Sequence, residues 1–191
     1  VTAELFGAAS LVGAARPELV ITVHGVPAGQ GAISFKGKGR AVHSNADKLK
    51  PWREAVSAAA QAVAGTHAHV PPPKRKKDEP KDPIQACLRC ATPRKLHGRL
   101  VGPVGVELTV SVPKSAAATK RGDVWPDNRT SSDIDHHARA ALDALSHASV
   151  WRDDAQVVEL CARKVWAGGV GVDALDRPGA VIRVWPLAVT T

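Results

Sequence analysis

Between Ser132 and Gln156 an otherwise basic chain concentrates its aspartates. Asp133 and Asp135 stand one residue apart at the mouth of an expected helix, and Asp153 and Asp154 follow just beyond its end. Carboxylates brought together repel one another unless a cation sits among them, and a set of oxygen ligands selects a hard ion, magnesium or manganese. Such an ion stabilises charge on a scissile phosphate and helps ionise an attacking water, so the expectation is a magnesium site that cuts nucleic acid. The expectation carries a geometric demand. The helix over 134–147 spans about 20 Å, and the six residues from Ala148 to Asp153 reach about as far when extended. Asp154 therefore returns to Asp133 and Asp135 only if that segment runs nearly straight back along the helix. Failing that, what remains is a surface ladder of Asp135, Arg139 and Asp143 at four-residue steps, worth a few tenths of a kcal/mol per pair. Acids at a helix N-terminus are also stabilised by the helix dipole alone. His136 and His137 point about 100° apart on a helix, which argues against their holding one transition metal together.

The elements that would position these acids follow from periodicity. Ser132 or Asp133 caps the helix, and Ile134, Ala138, Ala141, Leu142 and Leu145 give it one apolar face. Q-V-V-E-L-C-A-R-K-V-W alternates as a strand that starts on the second acid pair. Upstream, Leu19 to Val26 is rich in β-branched residues and predicts a buried, central strand. Lys48 to Ala64 predicts a first helix that opens at Pro51 and Trp52 and stops at Gly65. Pro103 to Pro113 alternates cleanly, with Val104, Val106, Leu108, Val110 and Val112 on one face, and predicts a half-buried strand. After the turn-rich G-G-V-G-V-D-A-L-D-R-P-G, the run A-V-I-R-V-W-P-L-A predicts a last strand adjacent to the one before it. The sum is an α+β domain, a small mixed β-sheet with two main helices packed on it. It occupies 19–191 behind a loosely ordered tail at 1–18 and carries an insertion at about 66–102. Trp52, Trp151, Trp166 and Trp185 are read as packing residues rather than platforms for bases.

The chain has 26 Lys and Arg against 18 Asp and Glu, a net charge of +8, which favours polyanionic partners. Lys36, Lys38 and Arg40 lie around a glycine-punctuated turn or short hairpin suited to phosphate contacts, and Lys120 and Arg121 lie on the approach to the acidic stretch. The insertion holds nine Lys or Arg against three acids between Pro71 and Arg99. Its first half, with three consecutive prolines and then Lys74, Arg75, Lys76 and Lys77, reads as a basic arm that grips phosphates without sequence preference. The second half carries Cys87 and Cys90. A Cys-x-x-Cys pair with only His97 and the distant Cys161 as supplements is a weak zinc signal, with a redox pair and free thiols as the alternatives. Three cysteines and no signal-like or membrane-spanning run point to a reducing cytoplasm, with no membrane partner.

D-I-D-H, then R-A-A-L-D-A-L, then W-R-D-D-A-Q-V-V-E resembles the signature of the RusA family of Holliday-junction resolvases. That signature runs Asp-x-Asp-Asn, Lys-x-x-x-Asp-Ala-Leu and Asp-Asp-x-Gln-Val. The opening strand, the basic loop and the Trp52-Arg53 of the first helix are similar as well, so the resemblance covers Leu19 to Pro186 apart from the arm at 66–99. It implies a homodimeric, magnesium-dependent endonuclease that resolves branched DNA by paired nicks, in recombination and repair, within a bacterial or phage-infected cell. Its metal ligands would fall on Asp133, Asp135 and Asp154 with Asp153 beside them, and manganese could replace magnesium. Two positions depart from the pattern. His136 stands where the family has Asn, and Arg139 stands at the family's functional Lys. Arginine keeps the charge but cannot give up a proton. The alternative is accordingly a noncatalytic protein that binds branched DNA through a degenerate site.

Overall fold

The structure is a computed structural model that describes residues 18–31, 33–36, 40–73, 84–127 and 131–188, with 33–36, 40–43 and Lys95 described by backbone alone. Its main sheet contains β1 (Leu19–His24), β4 (Val104–Val112), β5 (Val157–Trp166) and β6 (Gly179–Pro186) in the order β1-β6-β4-β5. A separate hairpin pairs β2 (Ile33–Lys36) with β3 (Arg40–His43), as the glycine-punctuated basic loop suggested. The helices are α1 (Ala46–Ala64), the short α2 (Ala116–Arg121) and α3 (Ile134–His147).

β1 pairs antiparallel with β6, β6 antiparallel with β4, and β4 parallel with β5. α3 is the connection between β4 and β5, since parallel neighbours need a long crossover that carries the chain back to the same end. α1 packs on β1, α3 packs on β5, and the two helices pack on each other, so together they cover one face of the sheet. The core between the layers is built from Ile21, Trp52, Val56, Val106, Leu108, Leu145, Trp151, Ile182 and their neighbours. The mixed α/β architecture with two main helices on a small sheet agrees with the sequence reading, and the four tryptophans read as packing residues are each at most 4% exposed.

Three expectations about the strands are corrected. β1 is an edge strand rather than a central one, and its strict alternation of buried and exposed residues reflects one face turned to solvent. β4 is central and buried on both faces. Thr109 and Ser111, expected to face water, are covered by the 167–178 connection, where the Leu175 N–H donates to Ser111 Oγ at 2.9 Å and Asp173 reaches across to Arg183. β5 and β6 are not neighbours, because β4 lies between them. The connection carries the chain over the sheet, and β6 enters antiparallel on the far side of β4.

α1 begins two residues before the expected start, and Pro51 lies inside it. The early start is fixed by Asn45, whose side chain donates to Gly29 O at 2.6 Å and accepts from Gly31 N at 3.0 Å. α2 is capped by Ser115, whose hydroxyl accepts from Ala118 N.

Candidate active site at the mouth of α3

α3 starts from Asp133 in extended conformation at the N-cap position, yet the Asp133 side chain makes no capping bond, which leaves its oxygens uncommitted. The preceding Ser132 has φ of +59°, a turn that brings the chain sharply into the helix. Asp133, Asp135 and His136 offer ligand atoms that all lie within 4.8 Å of one another, and both aspartates are exposed. Opposite them, Lys164 near the end of β5 donates from Nζ to Ser132 O at 2.6 Å and to Ser131 Oγ at 2.9 Å. Burial pulls the Lys164 ammonium below its usual range, and the charges of Asp133 and Asp127 oppose that shift. Beneath them His137 is buried, with Nε2 at 2.9 Å from Ser131 O and Nδ1 without a partner among the described residues. Lys164 and His137 thus fix the turn from which the acids project. The sequence reading missed both, although a cation at the inward end of an alternating strand was a usable signal for Lys164.

A cleft of about 760 Å³ opens beside this turn, lined by Ser131 and Ser132, the 25–29 loop, Trp52 and Trp166. The loop approaches so closely that a Cβ at Gly29 would lie 2.4 Å from Ser132 Oγ. Only a residue without a side chain lets the end of β1 pack against the mouth of α3.

Asp153 and Asp154 are elsewhere. The 148–153 segment does not run straight back along α3. Ala148 and Val150 close the helix end through backbone bonds to Ala144 and Leu145, Ser149 turns at φ of +60°, and Val150 and Trp151 enter the core. Asp153 caps a 3-10 turn over Asp154–Gln156 by accepting from Ala155 N at 2.9 Å. Gln156 donates to Leu100 O and Gly102 O, which anchors that turn at the start of β4. β5 then runs back toward the acids, and the seven steps from Val157 to Lys164 measure about 23 Å. The expected convergence of Asp154 with Asp133 and Asp135 therefore does not occur within one copy of the chain. The fallback ladder is absent too. Asp143 pairs with Arg53 of α1, not with Arg139, and Arg139 is exposed with no ion-pair partner among the described residues.

Of the expected phosphate contacts, Lys120 is exposed at the end of α2, whereas Arg121 is held by both oxygens of Asp123, which raises its pKa. Lys38 and Lys74, Arg75, Lys76 and Lys77 lie outside the described residues, as do the side chains of Lys36 and Arg40. At the opposite end of α3, Cys87 is buried and Cys90 exposed, and they converge with His67 and His97. The suggested supplement Cys161 is instead exposed on β5.

Residues 24–173 match the family described as Endodeoxyribonuclease RusA, and the chain belongs to that family of DNA endonucleases. The match includes both acid pairs and the insertion. No curated protein matches the chain. No described helix is long and apolar enough to cross a membrane.

Proposed function

We propose that this protein is a magnesium-dependent endonuclease that resolves four-way or otherwise branched DNA by paired nicks, acting as a homodimer. Recombination and repair in the cytoplasm of a bacterial or phage-infected cell is the setting we infer for it. The observation that carries the reading is the pair of exposed carboxylates, Asp133 and Asp135, the latter 3.8 Å from His136 Nε2, held at the mouth of α3 in a nuclease family. Two exposed acids with adjacent oxygens fit a magnesium ion in part, and the His136 nitrogen beside them makes manganese an acceptable substitute. When bound, the ion supplies charge stabilisation at the scissile phosphate and a more acidic water.

The rest falls to the chain's own side chains. Lys164 and His137 hold the Ser131–Asp133 turn so that both carboxylates face outward. Arg139, one turn further along α3 and exposed, is placed to hold a phosphate oxygen but not to transfer a proton. A third carboxylate comes from a second copy. β5 is an edge strand, and Val158 and Leu160 on it are 63% and 47% exposed. Two such edges pairing antiparallel about Glu159 set Val158 against Leu160 and bring Asp154 of the partner subunit level with Lys164, beside Asp133. A two-fold dimer then carries two equivalent acidic sites, as paired nicking of a junction requires.

The test is incubation of purified protein with synthetic four-way junctions and magnesium. Wild-type protein is expected to cut. Asp133→Asn and Asp135→Asn are expected to lose cutting by a hundredfold or more on the scale of charged catalytic groups, while binding persists (about 10²–10³). Wild-type binding without cutting would support the alternative of a noncatalytic junction-binding protein, in which Arg139 and His136 mark a degenerate site.

A further inference from the structure

Beyond the nuclease site, we infer that His67, Cys87, Cys90 and His97 form a structural zinc site that fastens the basic insertion to the ends of α1 and α3. The four ligand atoms all lie within 4.8 Å of one another. A tetrahedral zinc with Zn–N of about 2.05 Å and Zn–S of about 2.3 Å sets an N···N edge of about 3.35 Å and an S···N edge of about 3.55 Å. His67 Nε2 lies 3.3 Å from His97 Nε2 and 3.5 Å from Cys87 Sγ. A single N–H on His67 cannot point at both neighbours, whereas a cation at their common centre satisfies all of them.

The surroundings are those of a ligand set. His97 Nδ1 is 2.8 Å from Ser149 Oγ, a contact that orients the ring and leaves Nε2 to donate its lone pair. The Val70 N–H donates to Cys87 Sγ at 3.4 Å, and the turn after Cys87 closes through Ala91 N–H to Cys87 O at 2.8 Å. Zinc binds cysteine as the thiolate, and the Val70 N–H aimed at Cys87 Sγ is the kind of contact that supports a ligating sulfur. Thiolate with imidazole favours zinc over the hard ion proposed for Asp133 and Asp135. His69 is a neighbour rather than a ligand, its ring 5.2 Å from that of His97 and outside the group.

The site's position gives its role. His67 follows directly on α1, whose end is tied to α3 by Thr66 Oγ1 donating to Ala148 O at 2.7 Å. His97 reaches Ser149 at the end of α3, and Arg99 donates to Ala64 O at 2.7 Å. Joining His67, Cys87, Cys90 and His97 ties together the two ends of the insertion whose sequence contains Lys74, Arg75, Lys76 and Lys77.

Metal analysis of the full chain purified without chelator, and of the reduced, stripped chain reloaded with zinc, is expected to give one zinc per chain. Cobalt added to stripped protein is expected to produce tetrahedral visible bands with thiolate-to-cobalt charge transfer. Cys87→Ser and His97→Ala are expected to lose the metal, and Cys161→Ser and His69→Gln to keep it. The cobalt spectrum of the wild-type chain decides the matter even if Cys87→Ser fails to fold. Reduced wild-type protein that takes up neither zinc nor cobalt, or a Cys161→Ser variant that loses the metal, would overturn the inference.

Discussion

His137 shows how a residue can matter to the site without touching a phosphate. Its ring is 2% exposed beneath the Ser131–Asp133 turn, and burial lowers its pKa below the ordinary 6.5, with Lys164 and His136 pushing the same way and the Ser131 carbonyl opposing. A folded pKa below the unfolded one means that the unfolded chain takes up the proton first as pH falls. The stability His137 contributes is therefore intact above about pH 6.5 and declines below it. Between about pH 7 and 5, wild-type protein is expected to lose more stability in urea melts than His137→Gln, which cannot titrate. Equal losses would show that His137 is solvated or already charged. The same residue scale separates the acids by task. Asp133 is uncommitted, Asp153 is spent on capping a turn, Asp173 is locked to Arg183, and Asp143 is taken by Arg53.

That last pair belongs to the scale of elements, because it joins α1 to α3 and so sets where the mouth of α3 lies against the sheet. Burial lowers the Arg53 pKa, and Gln30 accepts a second bond from the guanidinium at 3.1 Å. Both side chains are about one-third exposed, 28% and 37%, so solvent screens the pair. A double-mutant cycle of Arg53→Ala and Asp143→Ala is expected to give a coupling of about 0.5–1 kcal/mol, and a coupling near zero would remove the pair from the account. The sequence could not show this contact. Asp143 and Arg139 stand four residues apart on one helix, so local spacing pairs them, whereas Arg53 is ninety positions away and is brought near only by helix packing. Local period made other features legible. Val104 to Val112 reads as a strand from its alternation, and Ile134 to Leu145 as a helix from its apolar stripe. Burial of the second face of β4, and the insertion of β4 between β5 and β6, depend on what the 167–178 connection covers, which no local pattern encodes. The zinc pair was half legible for the same reason. Cys87 and Cys90 announce themselves by spacing, while His67 joins them across twenty positions through the fold.

At the scale of the whole molecule, the acids proposed to hold a metal were all visible in the sequence, but not the fact that one copy keeps them at opposite ends of β5. α3 and β5 run between the same two ends of the domain, so a short turn after α3 must leave Asp154 at the end remote from Asp133. A dimer built on the exposed β5 edges reconciles the family's nuclease activity with that separation. Mixed dimers test this directly. Asp133→Asn and Asp154→Asn proteins, each inactive alone, would be unfolded together, refolded as a mixture and assayed for nicking of a four-way junction with magnesium. If each site takes Asp133 from one copy and Asp154 from the other, a mixed dimer regains one intact site, and the mixture is expected to nick where neither parent does. A mixture that forms mixed dimers yet stays inactive, while wild-type protein treated the same way cuts, would contradict a site shared between subunits.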